Sequence, residues 1–420
     1  MASTKPVRDH PLPPTFPGAM MIGEEEKRAV IEVLENQSLF RYYGPKFLSK
    51  VKSFEREFAQ YMRVNHVLGL TSGTGSLMTA LAGISVGPGD EVIIPAYAWI
   101  ATATSVLASR AIPVIAEVDK SLTLDPRDFE AKISERTKAV IPVHMRGVSS
   151  KMDVTTSIAK KHDIKVIEDV AQSCGGSFKG KKLGAIGDVG AYSFQLNKVI
   201  TAGEGGAITT NDKAIFDRAV MFHDVAGVAR EDFWGGFTTQ PIIGVNFRMS
   251  EITGAILIEQ LHKLDKILSV TRRNKAVIKK GISDVKGIEF REIPDAQGDT
   301  GISLMFFLPS AEKAQEFAEA LRAENIYGDG YGTFVPYIPE KPDWHVYAHW
   351  RTILEKRTFT LEGCPYSCRF YTGKISYSPS MCPNTLDLLG RAVHMDVSPL
   401  LTEEDIDDII EGVHKVAASL

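Results

Sequence analysis

A series of short, uninterrupted apolar runs between residues 66 and 210 constrains the fold more than any other feature of the sequence. The runs are HVLGL, EVIIP, IPVIAEV, AVIPVH, KVIEDV, VGAYSF and GAITT, and segments with helical periodicity separate them. Continuous rather than alternating apolarity is typical of strands that are covered on both faces. Strands that alternate with helices build a mostly parallel sheet. The sequence therefore predicts a large α/β domain wrapped by helices.

The rest of the chain predicts an arm and a second, smaller domain. The first twenty residues are rich in proline, which indicates an extended arm. The stretch from Ser250 to about Ile282 lacks proline and has helical spacing, so we expect one long helix that links two domains. Near the C-terminus, Thr402 and Asp405 have the spacing of a helix capping box. The predicted units are an arm over 1–20, a large α/β domain over 21–270 and a small α+β domain over 271–420.

Composition argues against several classes of function. The net charge is −4, from 48 Lys and Arg against 52 Asp and Glu, and no basic block suggests contact with nucleic acid or a membrane surface. The N-terminus lacks the apolar core of a signal peptide and no apolar run matches a bilayer, so we expect a cytoplasmic protein. The spacing of Cys364, Cys368 and Cys382 fits no common zinc pattern, and we predict no metal.

Polar and aromatic residues follow the predicted strands at their carboxyl ends, where open α/β sheets bind ligands. In LTSGTGSLMTAL, the backbone N–H groups of Gly73 and Thr74 and the nearby hydroxyls lie at a helix N-terminus, which favours an anion such as phosphate. Taken alone, such a turn more often only caps a helix. Trp99, in PAYAWIATA, has the ring needed to stack on a planar cofactor, although a packing role is more common.

The run KVIEDVAQS places two carboxylates, Glu168 and Asp169, at the end of a strand. A carboxylate there is costly unless it is paired. The protonated pyridine nitrogen of pyridoxal-5′-phosphate (PLP) is a suitable partner, and we assign that role to Asp169. Gln172 is placed to hydrogen-bond the phenolic oxygen of the ring. A purely structural role for the acid remains an equal alternative.

The fourth segment, GAYSFQLNKVITAGEGGAITT, is the most specific indication of a cofactor site. Ser193 ends a strand and has a hydroxyl to offer a phosphate, and Lys198 precedes a glycine-rich turn. A Schiff base requires a lysine whose amine is partly neutral and which a rigid turn holds over the cofactor. Most lysines are solvated surface charges, but the other three segments favour a cofactor-binding role for this one.

Taken together, these segments resemble the DegT/DnrJ/EryC1/StrS aminotransferases, which have PLP fold type I. The resemblance rests on SGTGSL, EVIIPAYAWIAT, VIEDVAQ, SFQLNK followed by ITAGEGG, and GVNFRMSEI, in this order, and extends from about residue 20 to the C-terminus. It implies a homodimer with active sites at the subunit interface. It also implies phosphate contacts from Gly73, Thr74 and Ser193, and contact of Asn246 with the phosphate of the neighbouring subunit's cofactor. Around the cofactor ring, it implies stacking by Trp99, contact of Asp169 with the ring nitrogen and contact of Gln172 with the phenolic oxygen. Lys198 forms the Schiff base in this resemblance.

Two further segments, WHVYAHWRTIL and CPNTLDLLGRAVHMDVSPLLTEEDID, are similar to the glutamine-dependent ketocyclitol (scyllo-inosose) aminotransferases. The resemblance therefore implies transfer of an amino group from glutamine or glutamate to a keto-cyclitol or keto-sugar. Two alternatives stay open: another PLP reaction on the same scaffold (racemase, epimerase or dehydratase), and a non-catalytic PLP-binding regulator. The dehydratases of this family replace the lysine with histidine, so the presence of Lys198 argues against that branch.

Overall fold

The computed structural model describes residues 5–328 and 332–420. Its helices are α1 (Glu24–Glu35), α2 (Lys50–Met62), α3 (Gly73–Gly83), α4 (Ala101–Ala108), α5 (Pro126–Ala131), α6 (Met152–Lys161), α7 (Lys213–His223), α8 (Glu231–Trp234), α9 (Glu251–Gly281), α10 (Ala311–Ala323), α11 (Arg351–Leu354), α12 (Pro383–Arg391) and α13 (Glu403–Ser419). Its strands are β1 (His66–Leu70), β2 (Glu91–Pro95), β3 (Ile112–Ala116), β4 (Thr137–Val140), β5 (Lys165–Asp169), β6 (Ser177–Phe178), β7 (Lys181–Lys182), β8 (Val189–Ser193), β9 (Gly206–Thr210), β10 (Glu289–Phe290), β11 (Ser303–Phe307), β12 (Thr333–Phe334) and β13 (Ala392–Asp396). Within these ranges, no helix has both the length and the apolar character needed to cross a membrane.

A seven-stranded sheet with the order β1-β9-β8-β5-β4-β2-β3 forms the centre of the large domain. Strand β9 is antiparallel to both of its neighbours, and every other pair in the sheet is parallel. The seven apolar runs of the sequence supply these strands, so the predicted α/β architecture is confirmed.

Both faces of this sheet are buried, which explains why the runs do not alternate between apolar and polar residues. Successive side chains alternate between two cores: Leu68 packs into one, and Val67 packs into the other. Helices α3, α4 and α7 cover the first face, and α2, α5, α6 and α9 cover the second. A strand with two covered faces has no solvent side on which polar residues would be favoured.

The C-terminal part of the chain forms a second layer around its own core. Its sheet has the order β10-β11-β13-β12 and is antiparallel throughout. Helices α10 and α13 and the end of α9 pack on it. The capping box of α13 forms as predicted, with the Asp405 N–H donating to the Thr402 hydroxyl. The boundary predicted near residue 270 falls inside α9 and stays a prediction.

The N-terminal arm is ordered against this second layer. The Leu12 N–H donates to the carbonyl oxygen of Tyr327 at 2.8 Å, and Arg8 forms an ion pair with Asp405 at 2.8 Å. Further along, the Gly18 N–H donates to the carbonyl oxygen of Lys198 at 3.1 Å. The arm therefore extends from the small domain to the loop that carries the predicted Schiff-base lysine.

Candidate active site

A cavity of about 490 Å³ lies where the carboxyl ends of β1, β2, β5 and β8 meet. Because β9 is antiparallel to β8, it begins at the edge of the sheet where β8 ends. The loop that connects β8 to β9 therefore lies at this same edge. All residues predicted for the site, apart from Asn246, line this cavity. They are Gly73, Thr74, Trp99, Asp169, Gln172, Ser193 and Lys198.

The N-terminus of α3 forms one end of the cavity. The Ser72 hydroxyl accepts the Gly75 N–H at 3.0 Å, so this serine caps the helix in addition to lining the cavity. The N–H groups of Gly73 and Thr74 begin the helix and have no acceptor within it. A Cβ on Gly73 would lie 2.7 Å from the Cβ of Ser193. Glycine is therefore required for this close approach, which brings the two predicted phosphate-binding segments together.

The side chain of Asp169 forms another part of the wall and is almost completely buried. It accepts the Thr102 hydroxyl at 3.0 Å and the Ala171 N–H at 3.1 Å. Burial raises the pKa of this carboxyl group, against the opposing effects of the two hydrogen bonds and of the Lys198 charge. A cation placed in the cavity would therefore be attracted to Asp169 and would stabilise its ionised form.

The neighbouring acid, Glu168, lies on the other face of β5, as strand geometry requires. It is fully buried, and His144 Nε2 lies 3.0 Å from its carboxylate. The same carboxylate accepts N–H groups from Gly184 at 2.9 Å and from Ile186 and Gly187 at 2.7 Å. Glu168 thus anchors a turn, and only Asp169 faces the cavity.

The loop that carries Lys198, residues 194–205, is held by several hydrogen bonds of its own. The Lys198 N–H donates to the Gln195 carbonyl oxygen at 3.0 Å, and the Leu196 N–H donates to that of Gly203 at 3.1 Å. The Thr201 hydroxyl donates to the Phe194 carbonyl oxygen at 3.0 Å. Gly203 has a φ of +81°, a conformation that favours glycine at this turn. The backbone around Lys198 is therefore well defined.

The amine of Lys198 has an unusual acidity for a lysine. Burial lowers its pKa from 10.5 to about 8, while the nearby charge of Asp169 acts in the opposite direction. At neutral pH, a larger fraction of this amine is neutral than for a solvated lysine. A neutral amine is the nucleophilic form that a Schiff base requires.

Gln172 is oriented by the backbone of an adjacent loop. Its side-chain oxygen accepts the Arg146 N–H at 3.1 Å. The amide oxygen is thereby directed at the protein backbone, and the amide nitrogen is the group that remains to donate to a ligand.

His345 lines the cavity and was not predicted as a site residue. It is 3% exposed, and its Nδ1 lies 2.8 Å from a carboxylate oxygen of Asp343. Its ring centroid lies 4.9 Å from that of Trp99, whose own side chain is 42% exposed. Burial lowers the pKa of His345 to about 4, so the imidazole is neutral at physiological pH. His345 therefore supports one side of the Trp99 ring while the rest of the ring faces the cavity.

Asn246 does not line the cavity of its own chain. It is exposed, and its side-chain oxygen accepts the Arg248 N–H at 3.3 Å. The next residue, Phe247, packs beside the α3 turn, where a Cβ on Gly75 would lie 3.4 Å from its ring. The predicted contact of Asn246 with a neighbouring subunit's cofactor stays a prediction.

The residues of the cavity fit PLP. One end offers the N–H groups of a helix N-terminus and the Ser193 hydroxyl, which are donors suited to a phosphate. A buried carboxylate, Asp169, is suited to a protonated ring nitrogen, and Trp99 offers an exposed aromatic face. Lys198, with its lowered pKa, lines the same cavity.

Comparison with known proteins gives the same assignment. Residues 20–340 match the model of the DegT/DnrJ/EryC1/StrS aminotransferase family. The chain is 30% identical to the spore coat polysaccharide biosynthesis protein SpsC of Bacillus subtilis, over 97% of this chain and 98% of that protein. It is 39% identical to the GDP-perosamine synthase of Caulobacter vibrioides over 53% of this chain and 59% of the relative. It is 40% identical to the L-glutamine:2-deoxy-scyllo-inosose aminotransferase of Streptomyces lividus over 55% of this chain and 56% of the relative. The last two matches therefore span a little over half the length of those relatives.

Solved structures agree with this assignment over nearly the whole chain. The crystal structure of 3-amino-5-hydroxybenzoic acid synthase matches with a TM-score of 0.79 and 25% identity, covering 98% of this chain and all of that one. DesV of S. venezuelae, solved in complex with a ketimine intermediate, matches with a TM-score of 0.76 and 26% identity over 94% of each chain. The fold is PLP fold type I. The chain belongs to the DegT/DnrJ/EryC1/StrS aminotransferase family and is a PLP-dependent aminotransferase.

Proposed function

We propose that this enzyme transfers an amino group from glutamine or glutamate to a keto-cyclitol or keto-sugar, with PLP attached to Lys198 as a Schiff base. One observation carries the assignment of the lysine: Lys198, whose pKa is lowered to about 8, lines the same cavity as the buried carboxylate of Asp169 and the N-terminus of α3. These groups suit the aldehyde, the ring nitrogen and the phosphate of PLP, respectively.

Each residue has a distinct part in the proposed reaction. When PLP is bound, it supplies an electron sink that makes the α-hydrogen of an attached amino acid acidic. Asp169 holds the proton on the ring nitrogen, and the Thr102 hydroxyl and Ala171 N–H keep its carboxylate in place. Gln172 donates to the phenolic oxygen. The Lys198 amine, released when the amine of the donor takes its place, would be the base that takes the proton from the donor's α-carbon and the acid that returns it to the cofactor carbon to which the lysine had been attached.

The choice of donor and acceptor rests on the relatives. The S. lividus relative is named for L-glutamine as donor and for 2-deoxy-scyllo-inosose as acceptor. The C. vibrioides relative is named for GDP-perosamine, which is a nucleotide-linked amino sugar. A ketone on a polyhydroxylated six-membered ring is common to both kinds of acceptor, so we assign the acceptor to this chemical class.

The first test is the absorption spectrum of the PLP-loaded protein before and after addition of L-glutamine. We expect the visible band of the Schiff base to be replaced by the shorter-wavelength band of the aminated cofactor, with release of one equivalent of the 2-oxo acid. Addition of a keto-cyclitol should then restore the visible band. Exchange of the donor's α-hydrogen with solvent, without release of 2-oxo acid, would contradict transamination and indicate a racemase-type reaction.

The enzyme acts as a homodimer in this proposal, and an exposed apolar surface beside Asn246 supports it. Ile243 is 90% exposed and Tyr43 is 66% exposed. The ring of Phe40 lies near both Tyr43 and the Arg248 guanidinium, which places Tyr43 beside the segment that contains Asn246. Ile243 precedes Asn246 in this same segment by three residues. Exposed apolar side chains that cluster in this way are typical of a protein interface. We assign this surface to the second subunit, with Asn246 reaching into the partner's site.

A mixed dimer tests the role of Asn246. Asn246→Asp keeps the shape of the side chain but places a negative charge beside the phosphate, so we expect a large loss of activity in that homodimer. When Asn246→Asp and Lys198→Ala chains are co-expressed in equal amounts, half of the dimers contain one subunit of each kind, and one site in each of these is complete. The mixture should then show about one quarter of wild-type activity. Activity no greater than the average of the two parent proteins would contradict a contact across the interface.

A further inference from the structure

We propose that Gln260 is a positioning residue for Lys198, because a buried chain of hydrogen bonds connects it to the loop that carries the lysine. The inference rests on the proposed function, since Lys198 is taken as the residue that binds PLP. Gln260 lies on α9, outside the cavity, and acts only through the loop backbone.

Thr201 is the point at which the loop is attached to α9. Its N–H donates to the side-chain oxygen of Gln260 at 3.2 Å, and both residues are fully buried. The Thr201 hydroxyl donates to the Phe194 carbonyl oxygen and accepts the Gly203 N–H at 2.9 Å. The internal hydrogen bonds of the loop and its attachment to α9 therefore converge on one residue, three positions after Lys198.

A carboxylate determines which way the Gln260 amide points. The amide nitrogen of Gln260 donates to Glu26 at 2.9 Å, and a carboxylate can only accept. Glu26 is 3% exposed, and its charge is compensated by Lys263, whose amine lies 2.7 Å away. It also accepts the Gly23 N–H at 2.8 Å. With the nitrogen directed at Glu26, the oxygen of Gln260 must face the Thr201 N–H.

The N-terminal arm packs against the contact between Thr201 and Gln260. The Gly18 N–H donates to the Lys198 carbonyl oxygen at 3.1 Å. A Cβ on Gly18 would lie 2.8 Å from the Thr201 nitrogen and 2.9 Å from the Gln260 side-chain oxygen. The arm, α9 and the lysine loop are therefore in close contact, with no room for a larger residue. A displacement of any one of them moves the backbone of Lys198.

Removal of the Gln260 amide should loosen this loop. Gln260→Leu preserves the approximate size of the side chain but leaves the Thr201 N–H buried without a partner, which is unfavourable. Glu26 also loses one of its donors, although Lys263 still donates to the same oxygen at 2.8 Å. The loop can regain a partner for Thr201 only by moving toward water. Because proton transfer depends on the position of the Lys198 amine, a shift of this kind slows the reaction more than it weakens binding of the donor.

Hydrogen–deuterium exchange of the protein without PLP is the direct test, since it does not require activity. We expect the peptide that covers residues 196–203 to exchange about tenfold faster in Gln260→Leu than in the wild type, as expected for the loss of one buried hydrogen bond. In the PLP-loaded enzyme, kcat should fall about tenfold with little change in KM for the donor. Gly18→Ala perturbs the same point from the arm and should also speed exchange of this peptide.

Asn274→Leu is the matched control. Asn274 lies on the same helix, is fully buried, and donates through its amide nitrogen to the Ser398 carbonyl oxygen at 3.3 Å, away from the loop. It should leave exchange of peptide 196–203 unchanged. Wild-type exchange in Gln260→Leu and Gly18→Ala, or equal effects of Asn274→Leu, would overturn the positioning role. If the wild-type protein forms no Schiff base, the proposed function fails, whereas the exchange experiment still decides whether Gln260 anchors the loop.

Discussion

Replacement of Lys198 with alanine is expected to abolish the visible Schiff-base absorption and to lower the rate of amino transfer by about a thousandfold or more. In the proposed mechanism, the variant loses both the amine that attaches PLP and the base that removes the donor's α-proton. PLP itself should still bind without a covalent bond, because the contacts proposed for its phosphate, ring and ring nitrogen come from other residues, which include Ser193, Trp99 and Asp169. Equilibrium dialysis with PLP and the absorption spectrum measure the two effects separately.

Lys181→Ala is a suitable control for this experiment. Lys181 is an exposed lysine on the β6–β7 hairpin, outside the cavity. Its replacement should change neither the visible band nor the rate. Sodium borohydride, which reduces a Schiff base to a stable bond, should label the wild type and Lys181→Ala on residue 198 and leave Lys198→Ala unlabelled. Normal amino transfer by Lys198→Ala would contradict the assignment.

The large domain could be predicted because its strands carry a strong signal. Runs such as EVIIP are buried on both faces, so apolar residues follow one another from Val92 to Pro95 without alternation, and the strand stands out from the helices around it. The small domain gave a weaker signal. Strand β13 contains His394, which is fully buried, and a polar residue of this kind interrupts an apolar run. Strands β10 and β12 have two residues each, too few for any periodicity.

The candidate site could be predicted where it depends on strand ends, because parallel strands bring their carboxyl ends to one edge. Ser193 and Asp169 are distant in sequence from Gly73, yet they share a cavity for this reason. His345 could not be predicted in this way, since no strand delivers it. It reaches the cavity because an irregular segment pairs with residues 96–98, where the Ala98 N–H donates to the His345 carbonyl oxygen at 2.8 Å. Sequence carries no local pattern for such a long-range pairing.

Asp169→Asn is expected to lower kcat by at least about a hundredfold, because we propose that Asp169 stabilises the positive charge on the ring nitrogen, which a neutral amide cannot do. The stability of the folded protein should not decrease. Burial raises the pKa of Asp169, so ionisation of this carboxyl group is less favourable in the folded protein without PLP than in the unfolded chain. Above the raised pKa, the charge therefore reduces stability, and its removal should leave the melting temperature of the PLP-free protein equal to or higher than that of the wild type.

Glu168→Gln, one position earlier in the same strand, should show the opposite behaviour. Its carboxylate accepts the N–H groups of Gly184, Ile186 and Gly187. In glutamine, an NH₂ group replaces one of the two accepting oxygens, so it would face at least one N–H group that needs an acceptor. We expect a loss of about 3 kcal/mol in the free energy of unfolding, typical for removal of one partner from a buried charged network. The folded fraction should keep far more of its kcat than Asp169→Asn does, because Glu168 faces away from the cavity. Comparable kcat losses in the two variants, with unchanged stability in both, would contradict this division between a catalytic and a structural carboxylate.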